Sequence, residues 1–260
     1  KIKKNSIIPL DFYQQYDVKK GLRDVNGKGV LAGLTNISAI HSFDDNGDPM
    51  AGILEYRAIN IKDISENLKA ENRFGFEEIT YLLLFGVLST LEELTTFTQE
   101  LAAKRQLPKD FVRDIILEAT SCDIMNSISR SILSLATFDS KANEMTLENV
   151  LDQSLCLIAN FPLLAIYAYQ AYNHYENGKS LYIHDPDENL TTAQNILRLL
   201  RPDKQFSDIE AKVLDLALIL HMEHGGGNNS TFTTHVVTSS GTDTYASVVA
   251  SLSSLKGSKH

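Results

Sequence analysis

His221 and His224 stand three residues apart, followed by Gly225-Gly226-Gly227 and then by Asn228-Asn229-Ser230. His235 follows, and the sequence runs on to a last histidine, His260. Residues at i and i+3 share one face of a helix. Imidazoles there can bind a metal, bind an anion or donate to a developing oxyanion. Zinc sites often take two histidines from one helix face and a third ligand from elsewhere, and His235 could be that ligand. The usual i, i+4 pair with an internal glutamate base is absent, and Glu223 points away from both rings on a helical wheel. No metal is expected. The plain alternative is a glycine-stopped helix whose histidines are satisfied core residues.

Two further patterns fail on their own requirements. His224-Gly225-Gly226-Gly227 has the composition of a lipase oxyanion loop, which needs a downstream G-x-S-x-G elbow, and the sequence has none. Asp44, Asn46, Asp48 and Glu55 fall at positions 1, 3, 5 and 12 of a calcium-loop template. Position 6, which must be glycine, is Pro49, so a solvated turn is expected.

The element that must carry the histidines is a helix beginning at Ser207. Ser207 and Glu210 have the spacing of a capping box. From Val213 to Leu220 nearly every residue is apolar, which predicts a core helix buried on all sides. Gly225 can take the left-handed conformation that stops such a helix, and the next glycines let another group approach the backbone.

The 260 residues can bury a large core. Apolar content of 43% and charged content of 22% are ordinary for a globular chain. A net charge of −9 without a basic run disfavours nucleic acid and anionic membrane as partners. Cys122 and Cys156 lie in apolar helical patterns and read as reduced core residues, which suits a cytoplasmic location. No segment is expected to be long enough to cross a membrane.

Residues 10–17 form a candidate short helix. Leu31–Phe43 and Gly52–Ile59 alternate loosely about the acidic turn and predict a β ribbon over about residues 30–60. Helices follow to about residue 257: Lys62–Ala70, Phe76–Phe85, Leu91–Arg105 (capped by Thr90 and Glu93), Lys109–Glu118 and Asp123–Thr137. Leu147–Glu176 comes next, with a break expected near Asn160 because of Pro162. Thr191–Leu200 and Tyr245–Lys256 complete the set. In the last, Ala246, Ala250, Ser247, Ser251 and Ser254 favour close helix packing, either inside one core or across a subunit interface.

Several of these segments together resemble the citrate synthase family over nearly the whole length. Gly33–Ser38, Gly52–Ile59 and Phe76–Gly86 are similar to the family's β ribbon and its "YRG" and "YLLLFG" segments, with Ala58 where the family usually has glycine. His221–Phe232, Ser239–Asp243 and Leu255–His260 carry the most specific likeness. There Ser258 replaces the proline of the family's "GP-x-HGGAN".

The resemblance implies a mainly α fold, with residues 1–260 forming the amino-terminal part of the large helical domain. The small domain and the rest of the large domain would lie outside these residues. It implies an acyltransferase that condenses acetyl-CoA with oxaloacetate, with no cofactor. His260, as neutral imidazole, would donate to the acetyl-CoA carbonyl as the enolate forms. His224 would contact oxaloacetate, protonated, and Asn228 and Ser230 would orient the histidines. The catalytic aspartate and second catalytic histidine would fall beyond His260, so these residues alone are expected to be inactive. A homodimer is expected, both from the family and from the apolar runs Leu163–Tyr169 and Val213–Leu220. A 2-methylcitrate synthase using propionyl-CoA and a non-catalytic helical dimerisation scaffold are the alternatives.

Overall fold

A computed structural model describes residues 9, 11–15, 20–23, 29–31 and 35–258. Two compact units divide the chain: Lys1–Phe97 with Asp208–Val236, and Thr98–Ser207 with Val237–His260. The fold is mainly α with a small β portion, as expected.

The first unit opens with a single helical turn, α1 (Phe12–Gln15), and a short antiparallel pair, β1 (Lys20–Arg23) and β2 (Gly29–Leu31). A three-stranded antiparallel sheet follows, built from β3 (Ser38–Phe43), β4 (Pro49–Tyr56) and β5 (Ile59–Asn60) in that order. At the acidic turn Asp44 Oδ1 accepts the N–H groups of Asn46 and Asp48, both at 2.9 Å, and Gly47 has φ +85°. That carboxylate is used by its own backbone, as a solvated turn requires. Between β4 and β5 only Arg57 and Ala58 intervene, with φ +49° and +65°. Two left-handed residues between paired strands make the hairpin turn whose twist matches the strands. Ala58 therefore stands where glycine would be unstrained.

Asn60 caps α2 (Ile61–Ala70) by accepting from Lys62 N–H. Next come α3 (Phe76–Phe85), closed by Gly86 at φ +77°, and later α8 (Asp208–Leu220). Tyr56, Ile61, Ile64, Leu68, Ile79, Leu82 and Ile219 form the unit's apolar core. Buried Asp215 of α8 accepts from Gly75 N–H (2.7 Å) and Phe76 N–H (3.2 Å), satisfying the start of α3. Burial pushes its carboxyl up to about 6 despite those donors, with Glu77 adding to the rise.

In the second unit α6 (Leu147–Tyr175) is central, with α5 (Ile124–Leu135), α7 (Thr192–Leu200) and α10 (Thr244–Ser254) packed on it. Ile128, Ile132, Leu163, Leu164, Tyr167 and Leu199 are among its core residues. α4 (Leu91–Lys104) runs into this unit from the first, and α9 (Asn229–Thr238) also passes from the first to the second. Thr191 and Gln194 form a complete capping box, as do Thr90 and Glu93, where Thr90 N–H donates to Glu93 Oε2 at 3.0 Å and Glu93 N–H to Thr90 Oγ1 at 3.2 Å.

Several expectations are corrected. α6 continues through Pro162. A proline removes one donor from the ladder. The buried run Leu163, Leu164, Ile166, Tyr167 and Ala168 holds the second half of the helix against the core. At 29 residues α6 is also long and apolar enough, by length and composition, to cross a membrane, so no such exclusion holds. Half of its most apolar window is buried, and buried Gln153, Asn160 and Gln170 make hydrogen bonds there, as in a core helix. α8 is not buried all round: Ile209 is 67% and Val213 62% exposed, and Ala211, Asp215 and Ile219 form its buried face. Cys122 is exposed and Cys156 half-buried, so neither is fully a core residue. Between Lys109 and Glu118, Asp110 is left-handed (φ +61°) and Val112–Leu117 forms a π-helical turn with Glu118 N–H on Arg113 O.

Candidate active site

α8 delivers the histidine segment and then tightens. His221 N–H donates to Leu218 O at 3.1 Å and Met222 N–H to Ile219 O at 3.3 Å, so the helix ends at Leu220, before either histidine. His221 turns Nδ1 back to Ala217 O at 2.7 Å, which settles it on its own helix. His184 Nε2 lies 3.1 Å from Arg201 O and His174 Nδ1 2.7 Å from Lys179 O. These rings serve the local backbone. Among the described residues no three His, Cys, Asp or Glu side chains converge as a metal site would need.

His224 is exposed and reaches forward instead. Asn228 Nδ2 lies 2.6 Å from its Nε2. The Asn228 Oδ1 accepts from Ser230 N–H at 2.8 Å and from Ser230 Oγ. A backbone N–H can only donate, so it fixes which end of the amide is oxygen. The Asn228 NH2 group must then donate to His224, and Nε2 must accept. The Nδ1–H tautomer fits this contact, with Nδ1 left as the ring's donor. His224, Asn228 and Ser230, singled out from the sequence, are thus brought into one hydrogen-bonded chain. His260 lies outside the described residues.

Behind this chain stand three residues that sequence reasoning did not assign to the site. Glu223 Oε1 accepts from His224 N–H (2.9 Å), Gly225 N–H (2.7 Å) and Ser38 Oγ (3.2 Å). Tyr56, fully buried, donates to Ile219 O at 2.8 Å and accepts from Glu223 N–H at 3.3 Å. Burial is the main reason its hydroxyl is pushed up from the ordinary tyrosine value. Ser38 and Tyr56 are direct partners across β3 and β4. The strand register that aligns them is the one signal that could have found them.

The sequence model described as citrate synthase, C-terminal domain, matches residues 22–260. The citrate synthase of Haloferax volcanii is 33% identical over 250 residues, covering 94% of this chain and 59% of its own. A 2-methylcitrate synthase of Corynebacterium glutamicum is 28% identical over 247 residues, covering 94% and 58%. The crystal structure of citrate synthase from Pyrobaculum aerophilum superposes with a TM-score of 0.71 at 27% identity, covering 92% of this chain and 55% of that one. The chain thus spans somewhat under two thirds of the length of these relatives. A match across residues 22–260, which takes in the segment His224-Gly225-Gly226-Gly227-Asn228-Asn229-Ser230 after α8, places the chain in the citrate synthase family.

Proposed function

We propose that this chain is part of an acyltransferase that condenses acetyl-CoA with oxaloacetate and water to give citrate and CoA. The hydrogen-bonded chain His224–Asn228–Ser230 carries this reading, because it prepares an exposed imidazole with a fixed donor. In the reaction His224 offers Nδ1–H to oxaloacetate, and Asn228 keeps that tautomer. His260 donates to the thioester oxygen as the acetyl group loses its proton and enolate charge develops. The proton goes to a carboxylate base supplied from outside these residues. No cofactor takes part, and the working protein is a homodimer in the cytoplasm. The exposed Ile209 and Val213 on α8 support further packing against that helix.

A 2-methylcitrate synthase of comparable coverage among the relatives favours propionyl-CoA as a second acyl donor. The test is release of free thiol from acetyl-CoA and from propionyl-CoA, with and without oxaloacetate, by a protein of full family length carrying this chain. Oxaloacetate-dependent release from acetyl-CoA at the higher kcat/KM supports the reading. Preference for propionyl-CoA supports the 2-methylcitrate reading, and release from neither leaves a non-catalytic scaffold.

A further inference from the structure

We infer that Glu223 is a positioning residue for His224, held in place by a clamp from the end of the β3–β4 hairpin. This rests on the reading of His224 as the oxaloacetate-binding imidazole.

The segment after α8 has no regular structure to hold it, yet its consecutive N–H groups are satisfied. Those of His221 and Met222 go to the last turn of the helix. The Glu223 N–H goes to the Tyr56 hydroxyl, and those of His224 and Gly225 go to the Glu223 carboxylate. Gly225 sits at φ +102°, a conformation an L side chain rarely takes, so the backbone turns sharply just where the carboxylate holds it. Ser38 Oγ adds a third donor to the same carboxylate oxygen. Hydrogen bonds to an ionised acceptor are about twice as strong as neutral ones.

The anchor is buried and strand-paired. Ser38 and Tyr56 are both buried and lie opposite one another across the strands. Tyr56 also grips Ile219 O, so its one hydroxyl ties the last turn of α8 to the residue that carries the clamp. The His224 imidazole is thus fixed from two sides. Glu223 sets the backbone from which it springs, and Asn228 sets the ring. A ring displaced by about 1 Å loses much of its value to a bound ligand.

The test uses the full-length protein carrying this chain and the variants Glu223→Ala, Glu223→Asp and Ser38→Ala. Amide hydrogen exchange at His224 and Gly225 should speed up about tenfold or more in Glu223→Ala, in keeping with the loss of charge-assisted bonds. The KM for oxaloacetate should rise about tenfold, more than kcat falls, with the KM for acyl-CoA little changed. Ser38→Ala, which keeps Glu223 and its two backbone bonds, should shift the oxaloacetate KM in the same direction by about threefold, and it serves if Glu223→Ala fails to fold. Glu223→Asp should restore part of the loss. Unchanged exchange at both amides overturns the clamp. Faster exchange with equal losses for both substrates, or a lowered Tm alone, assigns Glu223 a purely structural role and overturns the positioning inference. If wild-type protein shows the protected amides but neither binds nor uses oxaloacetate, the functional reading fails and this inference falls with it.

Discussion

Asn228 donates through Nδ2 to His224 Nε2 at 2.6 Å, and the Ser230 N–H on its Oδ1 dictates that direction. One side chain thereby fixes both the tautomer and the orientation of the imidazole. Asn228→Asp would present an acceptor to Nε2 and favour a proton there. In the full-length protein Asn228→Ala is expected to raise the oxaloacetate KM by about tenfold, corresponding to the loss of one hydrogen bond of roughly 1.4 kcal/mol. Nitrogen-15 shifts of the His224 ring check the cause: wild type should show the Nδ1–H form, and Asn228→Ala a mixture.

Tyr56→Phe removes a hydroxyl that both donates and accepts in a fully buried place. Ile219 O and Glu223 N–H are then left without that partner, which costs about 1–3 kcal/mol. Urea unfolding should show a lower midpoint at unchanged slope. A midpoint within error of wild type would mean that water replaces the hydroxyl.

Ala58→Gly should stabilise the chain. Ala58 has φ +65° and is exposed, so its methyl group adds strain without adding burial. Left-handed backbone costs a non-glycine residue about 1–2 kcal/mol, partly offset by the extra freedom glycine loses on folding. A net gain of about 0.5–1 kcal/mol is expected in thermal unfolding.

Asp215 makes stability depend on pH in an unusual direction. Its folded value of about 6 lies above the ordinary 3.8. Between these values the folded chain holds a proton that the unfolded chain has released. The contribution is therefore full below about pH 4 and is lost as pH rises through 6. Hydrogen-bonded carboxylates such as Asp139 are shifted down and act oppositely, so the comparison must be with a variant. Relative to wild type, Asp215→Asn should look least favourable near pH 4, where it has only lost hydrogen bonds. It should improve by up to about 3 kcal/mol by pH 7. A difference that stays flat from pH 4 to 7 would contradict this.

The helical elements were legible because their signals are local. Thr90 and Glu93 sit three residues apart and cap as spacing demands. His224, Asn228 and Ser230 were legible as a group because a single short segment carries them. The α8 pattern misled, since seven apolar residues between Val213 and Leu220 say nothing about which face has a neighbour; Val213 is exposed while Asp215 is buried. Glu223 was hidden for a related reason. A helical wheel turns it away from His224, but the helix stops at Leu220, and beyond it the wheel no longer applies. Ser38 and Tyr56 lie more than 160 residues away in sequence, and only strand pairing brings both to Glu223.

Kinetics of the full-length protein also separate the two histidines. His260→Gly should lower kcat about a hundredfold or more with oxaloacetate affinity nearly kept, since an oxyanion donor acts mainly in the transition state. The most direct measurement is calorimetric titration of oxaloacetate into that protein with His224 intact and as His224→Gln. The account predicts saturable binding to wild type and affinity at least about tenfold weaker in the variant, the worth of one polar contact. Equal affinity in both, or no binding to wild type, would contradict it.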